Sequence, residues 1–154
     1  MANFYGSYIG YGSSGAAASW PFQGEVSGYH YCSGDQGSSA VNRISFTSVG
    51  NSVASGANLT VTRSQWTGHT GEVYGFVSGG YAVFGTHYDV IDKLPYASDG
   101  AMSDAGDLTT SRVNAGSANN QTHGYSHGGY YGGTVNVIER FEMLATTSGA
   151  DVGD

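Results

Sequence analysis

The sequence predicts an all-β repeat protein built from short antiparallel strands. Among 154 residues, Gly occupies 26 positions and Pro only 2, while 13% are aromatic and 11% are charged. Aromatic residues supply bulk for a core, and short Tyr-, Val- and Ile-containing runs between Gly- and Ser-rich stretches are typical of strands and tight turns. No window shows the 3.6-residue apolar period of a helix. Several motifs also recur in a fixed order, which indicates a repeat architecture.

The recurring motifs define a unit of about 47–49 residues. A Gly-aromatic-x-x-Gly-Gly element that ends at Gly79-Gly80 returns 49 residues later and ends at Gly128-Gly129. A Leu-Thr-x-x-Arg element that ends at Arg63 returns at Arg112, with the same spacing. A third element occurs three times, as Val41-Asn42-Arg43, Ile91-Asp92-Lys93 and Ile138-Glu139-Arg140.

These motifs divide the chain into two parts. Residues 1–27 are rich in Gly, Ser and Ala, and we interpret them as an N-terminal arm or a degenerate strand. Residues 28–154 contain two full repeats and one partial repeat. The third repeat stops at Gly153-Asp154, whereas the matching Gly106-Asp107 is followed by a Leu-Thr segment. We therefore expect the third unit to lack its last strand.

The alternation of apolar and polar residues places the strands, and Gly, Pro, Asp and Ser place the loops. Strands are predicted at 28–31, 41–46, 59–63, 73–78, 90–94 and 108–113. Loops are predicted at 35–39, 97–106 and 114–121.

Charge and segment composition exclude several classes of partner. The net charge is −7 with only five Lys and Arg residues, which disfavours nucleic acid and anionic membrane surfaces. No apolar run approaches the length of a membrane span, and the N-terminus lacks the basic and apolar regions of a signal peptide. We expect no membrane insertion. The single cysteine, Cys32, cannot form an internal disulfide and is interpreted as a buried thiol, with a reactive thiol as the alternative.

Two groups of residues were considered as metal ligands. His123 and His127 lie four residues apart, and on a strand this separates them by about 13 Å, too far to share one ion. Asp99, Asp104 and Asp107 form an oxygen-rich stretch, and the sequence leaves open a calcium ion there. Turn formation is the commoner role of such aspartates, so no metal site or cofactor is predicted.

The sequence also predicts that the protein is not an enzyme. It contains no nucleophile elbow, phosphate-binding loop, dinucleotide fingerprint or zinc-spaced Cys and His array. Its glutamates show no pairing typical of a glycosidase. No catalytic residue is therefore assigned.

Structural roles are predicted for the repeated residues. Glycine at positions 79, 80, 128 and 129 permits positive φ angles and close backbone approach, although ordinary hairpin turns are an alternative. Arg63 and Arg112 are expected to bond turn carbonyls. Four aromatic residues are candidates for stacking on sugar rings, with packing between strands as the alternative: Trp66, Tyr81, Tyr130 and Tyr131.

Over residues 28–154, the order of an aromatic strand, a Gly-Gly pair, an apolar strand and Leu-Thr-x-x-Arg resembles a divergent kelch-type repeat. That resemblance implies β-propeller-like blades; a compact sandwich or prism-like domain is the alternative. Two features depart from the kelch pattern. The first unit has Cys32-Ser33-Gly34 in place of the double glycine, and Tyr96 and Met143 lie where a tryptophan is common. Because propellers have about 4–8 blades, we expect a homo-oligomer.

The Gly-, Ser- and Tyr-rich units also resemble repeats in virion structural proteins of marine bacteriophages. This resemblance implies a head decoration, cement or tail-fibre-type subunit that acts through self-assembly and surface adhesion. Its partners would be further copies of itself and other virion proteins, and it would assemble in the host cytoplasm. The alternative function is a lectin-like module that uses exposed aromatic residues to bind a cell-surface glycan.

Overall fold

The computed structural model describes residues 27–31, 37–82, 84–98, 100–145 and 147–154. Within these residues the chain forms eleven β-strands and no helix, and so has no helix that could cross a membrane. The strands are β1 Ser27–Tyr31, β2 Ser38–Ser45, β3 Val53–Arg63, β4 Thr67–Thr70, β5 Tyr74–Ala82, β6 Thr86–Pro95, β7 Ser103–Asp107, β8 Gly116–Asn119, β9 His123–His127, β10 Ile138–Glu142 and β11 Ala150–Gly153. Cys32, Asp99 and all of the predicted arm except Ser27 lie outside the described residues.

The strands form three antiparallel sheets in which chain neighbours are also spatial neighbours. Sheet 1 contains β1–β3, sheet 2 contains β4–β7 and sheet 3 contains β8–β11. Sheets 2 and 3 are therefore four-stranded meanders of the same design, and the all-β prediction is confirmed.

Sheet 2 lies between the other two sheets and is buried on both faces. Successive strand residues point to opposite faces. Val77 and Leu94 accordingly pack into a core layer with sheet 1, which contributes Val41, Ala57 and Leu59. The adjacent Phe76 and the buried Ile91 pack into a second layer. This layer contains Phe141 of β10 and Met143, which directly follows β10.

The segment 108–113 is irregular, so the prediction of a strand there was wrong. The strand lies just before it, where β7 pairs with β6 inside the predicted 97–106 loop. Strand β8 likewise occupies part of the predicted 114–121 loop and pairs with β9. In both places pairing with a neighbouring strand outweighs a local composition that favours loops.

The expected gap at the end of the third unit assumed that a strand occupies 108–113, and the structure has no strand there. Strand β11 pairs with β10 as β7 pairs with β6. Both pairings also contain a register shift, between Ile91 and Asp92 in one sheet and between Ile138 and Glu139 in the other. Sheet 3 thus has the same strand order as sheet 2 and a register shift at the equivalent position.

Candidate functional site

The two double glycines adopt backbone conformations that other residues rarely adopt. The φ angles are 65° and 121° at Gly79 and Gly80, and 64° and 102° at Gly128 and Gly129. At three of the four glycines an added Cβ atom would lie too close to a carbonyl oxygen: 2.6 Å from Arg112 O at Gly79, 2.9 Å from Ser64 O at Gly80 and 2.8 Å from Val113 O at Gly129. A side chain here would meet both backbone strain and a steric clash.

The residue after each double glycine pairs with the residue after each repeated arginine. Tyr81 and Ser64 exchange two backbone hydrogen bonds of 2.8 Å. Tyr130 and Val113 exchange two of 3.0 and 3.1 Å. The glycines therefore allow the chain that follows the Leu-Thr-x-x-Arg element to lie directly against the end of the aromatic strand.

Each repeated arginine forms a buried ion pair with the acid of the following sheet. Arg63 lies 3.0 Å from Asp92, and Arg112 pairs with Glu139; all four side chains are fully buried. Burial lowers the pKa of Arg63, while the Asp92 carboxylate acts in the opposite direction. Burial of both partners makes the loss of either one costly.

Backbone groups add hydrogen bonds to these ion pairs, which we call inter-sheet clasps. Arg63 donates to Val77 O at 3.2 Å, and Arg112 donates to Gly128 O at 3.2 Å and Val137 O at 3.0 Å. The acids accept further hydrogen bonds from the Leu-Thr-x-x-Arg element itself. Asp92 accepts from Thr60 N and Oγ1, and Glu139 accepts from the N–H groups of Thr109 and Thr110. Each clasp therefore fixes the end of one repeat to the next sheet.

Aromatic rings from the β5–β6 hairpin and from the segment after β9 meet at the double-glycine end of the molecule. The His87 ring centroid lies 5.3 Å from Tyr81, 6.4 Å from Tyr130 and 5.2 Å from Tyr131. We call these four residues the aromatic cluster. Tyr130 and Tyr131 are 51% and 56% exposed, and Phe84 at the tip of the β5–β6 hairpin is fully exposed. The cluster thus offers apolar ring surface and phenol hydroxyls to solvent.

The aromatic cluster contains three of the four residues proposed for glycan contact, but not Trp66. The Trp66 ring packs edge-on against Tyr31 at 5.2 Å and lies against the core layer between sheets 1 and 2. The sequence interpretation overlooked His87. His87 could have been found from the pairing of the β5–β6 hairpin, in which it lies directly opposite Tyr81.

A second polar group, also overlooked from sequence, lies buried between sheets 2 and 3. His69 Nε2 lies 2.9 Å from Ser78 Oγ and 3.2 Å from Ser126 Oγ, and the two hydroxyls are 2.8 Å apart. Burial lowers the pKa of His69 to about 4, with the Ala118 backbone acting in the opposite direction. All three side chains are at most 5% exposed, so a substrate cannot reach this histidine–serine contact. The contact gives His69 Nε2 and the two serine hydroxyls hydrogen-bond partners inside the core.

The residues considered as metal ligands are dispersed. His123 and His127 occupy the two ends of β9. Asp104 and Asp107 lie in β7, where Asp104 Oδ1 accepts a hydrogen bond from Gly106 N at 2.8 Å. Burial raises the pKa of Asp107, as do the nearby Asp89 and Asp104 carboxylates. Within the described residues, no three His, Cys, Asp or Glu side chains converge to hold an ion.

The aromatic cluster is therefore the exposed group of side chains with the clearest capacity to bind a ligand. Comparison with known proteins assigns no relationship to the chain, since no protein-family model matches it and no curated protein is significantly similar to it.

Proposed function

We propose that this protein is a non-enzymatic adhesion protein that binds carbohydrate through the aromatic cluster. The observation that carries the proposal is the convergence at one exposed end of four rings, two from the β5–β6 hairpin and two from the segment after β9: Tyr81, His87, Tyr130 and Tyr131. Sugar rings present C–H groups that pack on aromatic faces, and their hydroxyls hydrogen-bond to Tyr hydroxyls and the imidazole.

The charge of the chain favours an uncharged glycan. The net charge is −7, and the chain has only five Lys and Arg residues to attract sulfate or sialic acid. Two of these five, Arg63 and Arg112, are buried in the clasps. A neutral oligosaccharide therefore matches the site better than an acidic one.

A glycan array tests the proposal directly. Wild-type protein should bind neutral glycans, and Tyr131→Ala should lose most of that binding without a change in melting temperature. Leu144→Ala is the matched control, since Leu144 is 60% exposed and lies outside the cluster. Failure of the wild type to bind any neutral glycan, or full binding by Tyr131→Ala, would refute the proposal.

The virion role and the propeller arrangement belong to the same proposal. Four-stranded antiparallel meanders stacked face to face support propeller-like blades. The Gly-, Ser- and Tyr-rich repeat style supports a structural subunit of a phage virion, in which adhesion to a cell-surface glycan would serve attachment. Mass spectrometry of purified virions should detect the chain as a stoichiometric component.

A further inference from the structure

We propose that the outward face of sheet 3 binds sheet 1 of a second copy of this chain, so that molecules join head to tail. The proposal does not depend on carbohydrate binding. It follows from the correspondence between sheets 2 and 3 and from the residues that the two end sheets expose.

One face of sheet 3 has the same design as a buried face of sheet 2. Cross-strand pairs on this face join Tyr125 to Arg140 and His127 to Ile138. By repeat position, three of its apolar residues match three that are at most 2% exposed in sheet 2: Tyr125 matches Phe76, Ile138 matches Ile91 and Val152 matches Ala105. We call this surface of sheet 3 the distal face.

The distal face keeps apolar residues, although no sheet among the described residues packs on it as sheet 3 packs on sheet 2. Val152 is 46% exposed, and Tyr125 and Ile138 are each half-buried. In sheet 2 the corresponding residues are covered by Phe141 of sheet 3 and by Met143, which directly follows β10. A sheet of the same repeat type therefore has the shape to cover the distal face, at the ~10 Å spacing of packed sheets.

Sheet 1 carries the complementary residues. Phe141 and Met143 cover the sheet 2 face. By repeat position, Phe141 matches Ile44 in β2 of sheet 1, and Met143 matches Phe46, which directly follows β2. Ile44 points away from the buried Val41 because the two are three residues apart on β2. Ile44 and Phe46 are 39% and 47% exposed. The two outward faces thus repeat the two halves of the internal interface.

The residue type at position 42 is compatible with burial of the outward face of sheet 1 in the proposed interface. Asp92 and Glu139 occupy this repeat position in sheets 2 and 3, and each requires a buried arginine. Sheet 1 has the uncharged Asn42 there. Asparagine carries no charge, so sheet 1 can be covered at this position without a buried cation.

The proposed interface is heterologous, because it joins two different faces, and it generates either a closed ring or an open stack. Light scattering after gel filtration should show that the wild-type mass exceeds the 15.9 kDa monomer and rises through the micromolar range. A wild type that remains monomeric at every concentration would overturn the proposal, and it is the result expected if residues 1–26 of the same chain cover one of the faces.

Two blocking variants test which faces meet. Ile138→Lys blocks the distal face, and Ile44→Lys blocks the sheet 1 face, so each variant alone should be monomeric. A one-to-one mixture should form dimers, because each variant retains the face that the other has lost. Association of Ile44→Lys alone at wild-type strength, or failure of the mixture to form dimers, would overturn the head-to-tail arrangement.

Folding and surface charge require separate controls. Circular dichroism should show wild-type spectra and cooperative melts for both variants. If Ile138→Lys fails to fold, Ile138→Ser serves in its place. Leu144→Lys adds the same charge at a site that is 60% exposed and outside both faces, and it should leave the oligomer mass unchanged. A loss of association in Leu144→Lys would attribute the effect to net charge and refute the assignment of the faces.

Discussion

Replacement of Glu139 by glutamine tests whether the clasps stabilise the stack of sheets. The buried Glu139 carboxylate accepts hydrogen bonds from the Arg112 guanidinium and from the N–H groups of Thr109 and Thr110. Glutamine has nearly the same shape, but one of its two terminal atoms is a donor and only the other accepts. At least one of the three donors then loses its acceptor, and the charge of Arg112 is left uncompensated.

The expected loss in the free energy of unfolding is about 3 kcal/mol. Removal of one partner from a buried ion pair costs about 3–5 kcal/mol. Neither side chain is exposed, so water cannot solvate the Arg112 guanidinium once the Glu139 carboxylate is removed. Arg112 still donates to Gly128 O and Val137 O, which places the cost at the lower end of that range. In a domain of this length the melting temperature should fall by roughly 10 °C.

Urea denaturation and thermal melts of matched variants measure this effect. Glu142→Gln is the control, because Glu142 lies on the same strand but is exposed, and its change should stay within about 0.5 kcal/mol. A double variant, Arg112→Met with Glu139→Leu, should recover part of the stability, because it removes the uncompensated charge but leaves the N–H groups of Thr109 and Thr110 without the Glu139 acceptor. If Glu139→Gln is as stable as Glu142→Gln, the clasp does not hold the sheets together.

Two further predictions concern the glycines and the buried histidine. Gly129→Val should destabilise the protein by at least 1–3 kcal/mol, roughly the cost of forcing a side chain into a strained conformation, because a Cβ atom there lies 2.8 Å from Val113 O. Gly133→Val is the control, since its Cβ atom meets no atom within 4 Å; equal melting temperatures would contradict the packing argument. His69 has its pKa lowered to about 4, so the unfolded chain takes up a proton before the folded one does. Stability should therefore fall as the pH drops from about 6.5 to about 4, by up to roughly 3 kcal/mol, and His69→Gln should lose less over this range. Equal slopes for the two proteins would show that His69 is not the titrating group.

Periodicity predicted the features that are repeated with the same residue types. The double glycines recur with their flanking aromatic residues, and the structure places them at positive φ angles against carbonyl oxygens. The pairing of Arg112 with Glu139 was not inferred, although both residues recur in register. The sequence contained a signal for it, because an acid follows each repeated arginine at a similar spacing: Asp92 follows Arg63 by 29 residues and Glu139 follows Arg112 by 27.

The error at 108–113 has a specific physical cause. Leu108 to Arg112 repeats the Leu-Thr-x-x-Arg motif that lies in β3 at 59–63, but Leu108 is buried in the second core layer and the next two N–H groups donate to the Glu139 carboxylate. Those N–H groups are then unavailable to a neighbouring strand. The sequence pattern gives the burial of Leu108 but not the acceptor of the amides, because that acceptor lies about 30 residues away and in another sheet.

The aromatic cluster depends on the same segment as the clasp. Arg112 O accepts a hydrogen bond from Gly80 N in sheet 2, and the adjacent Val113 pairs with Tyr130. One stretch of backbone thus positions both Tyr81 in β5 and Tyr130 in the segment after β9. Loosening of the clasp should shift the two halves of the cluster relative to each other. Glu139→Gln should therefore weaken glycan binding by more than its unfolded fraction accounts for, whereas Glu142→Gln should bind like the wild type. Unchanged affinity in the folded fraction of Glu139→Gln would show that the two halves hold their positions without the clasp.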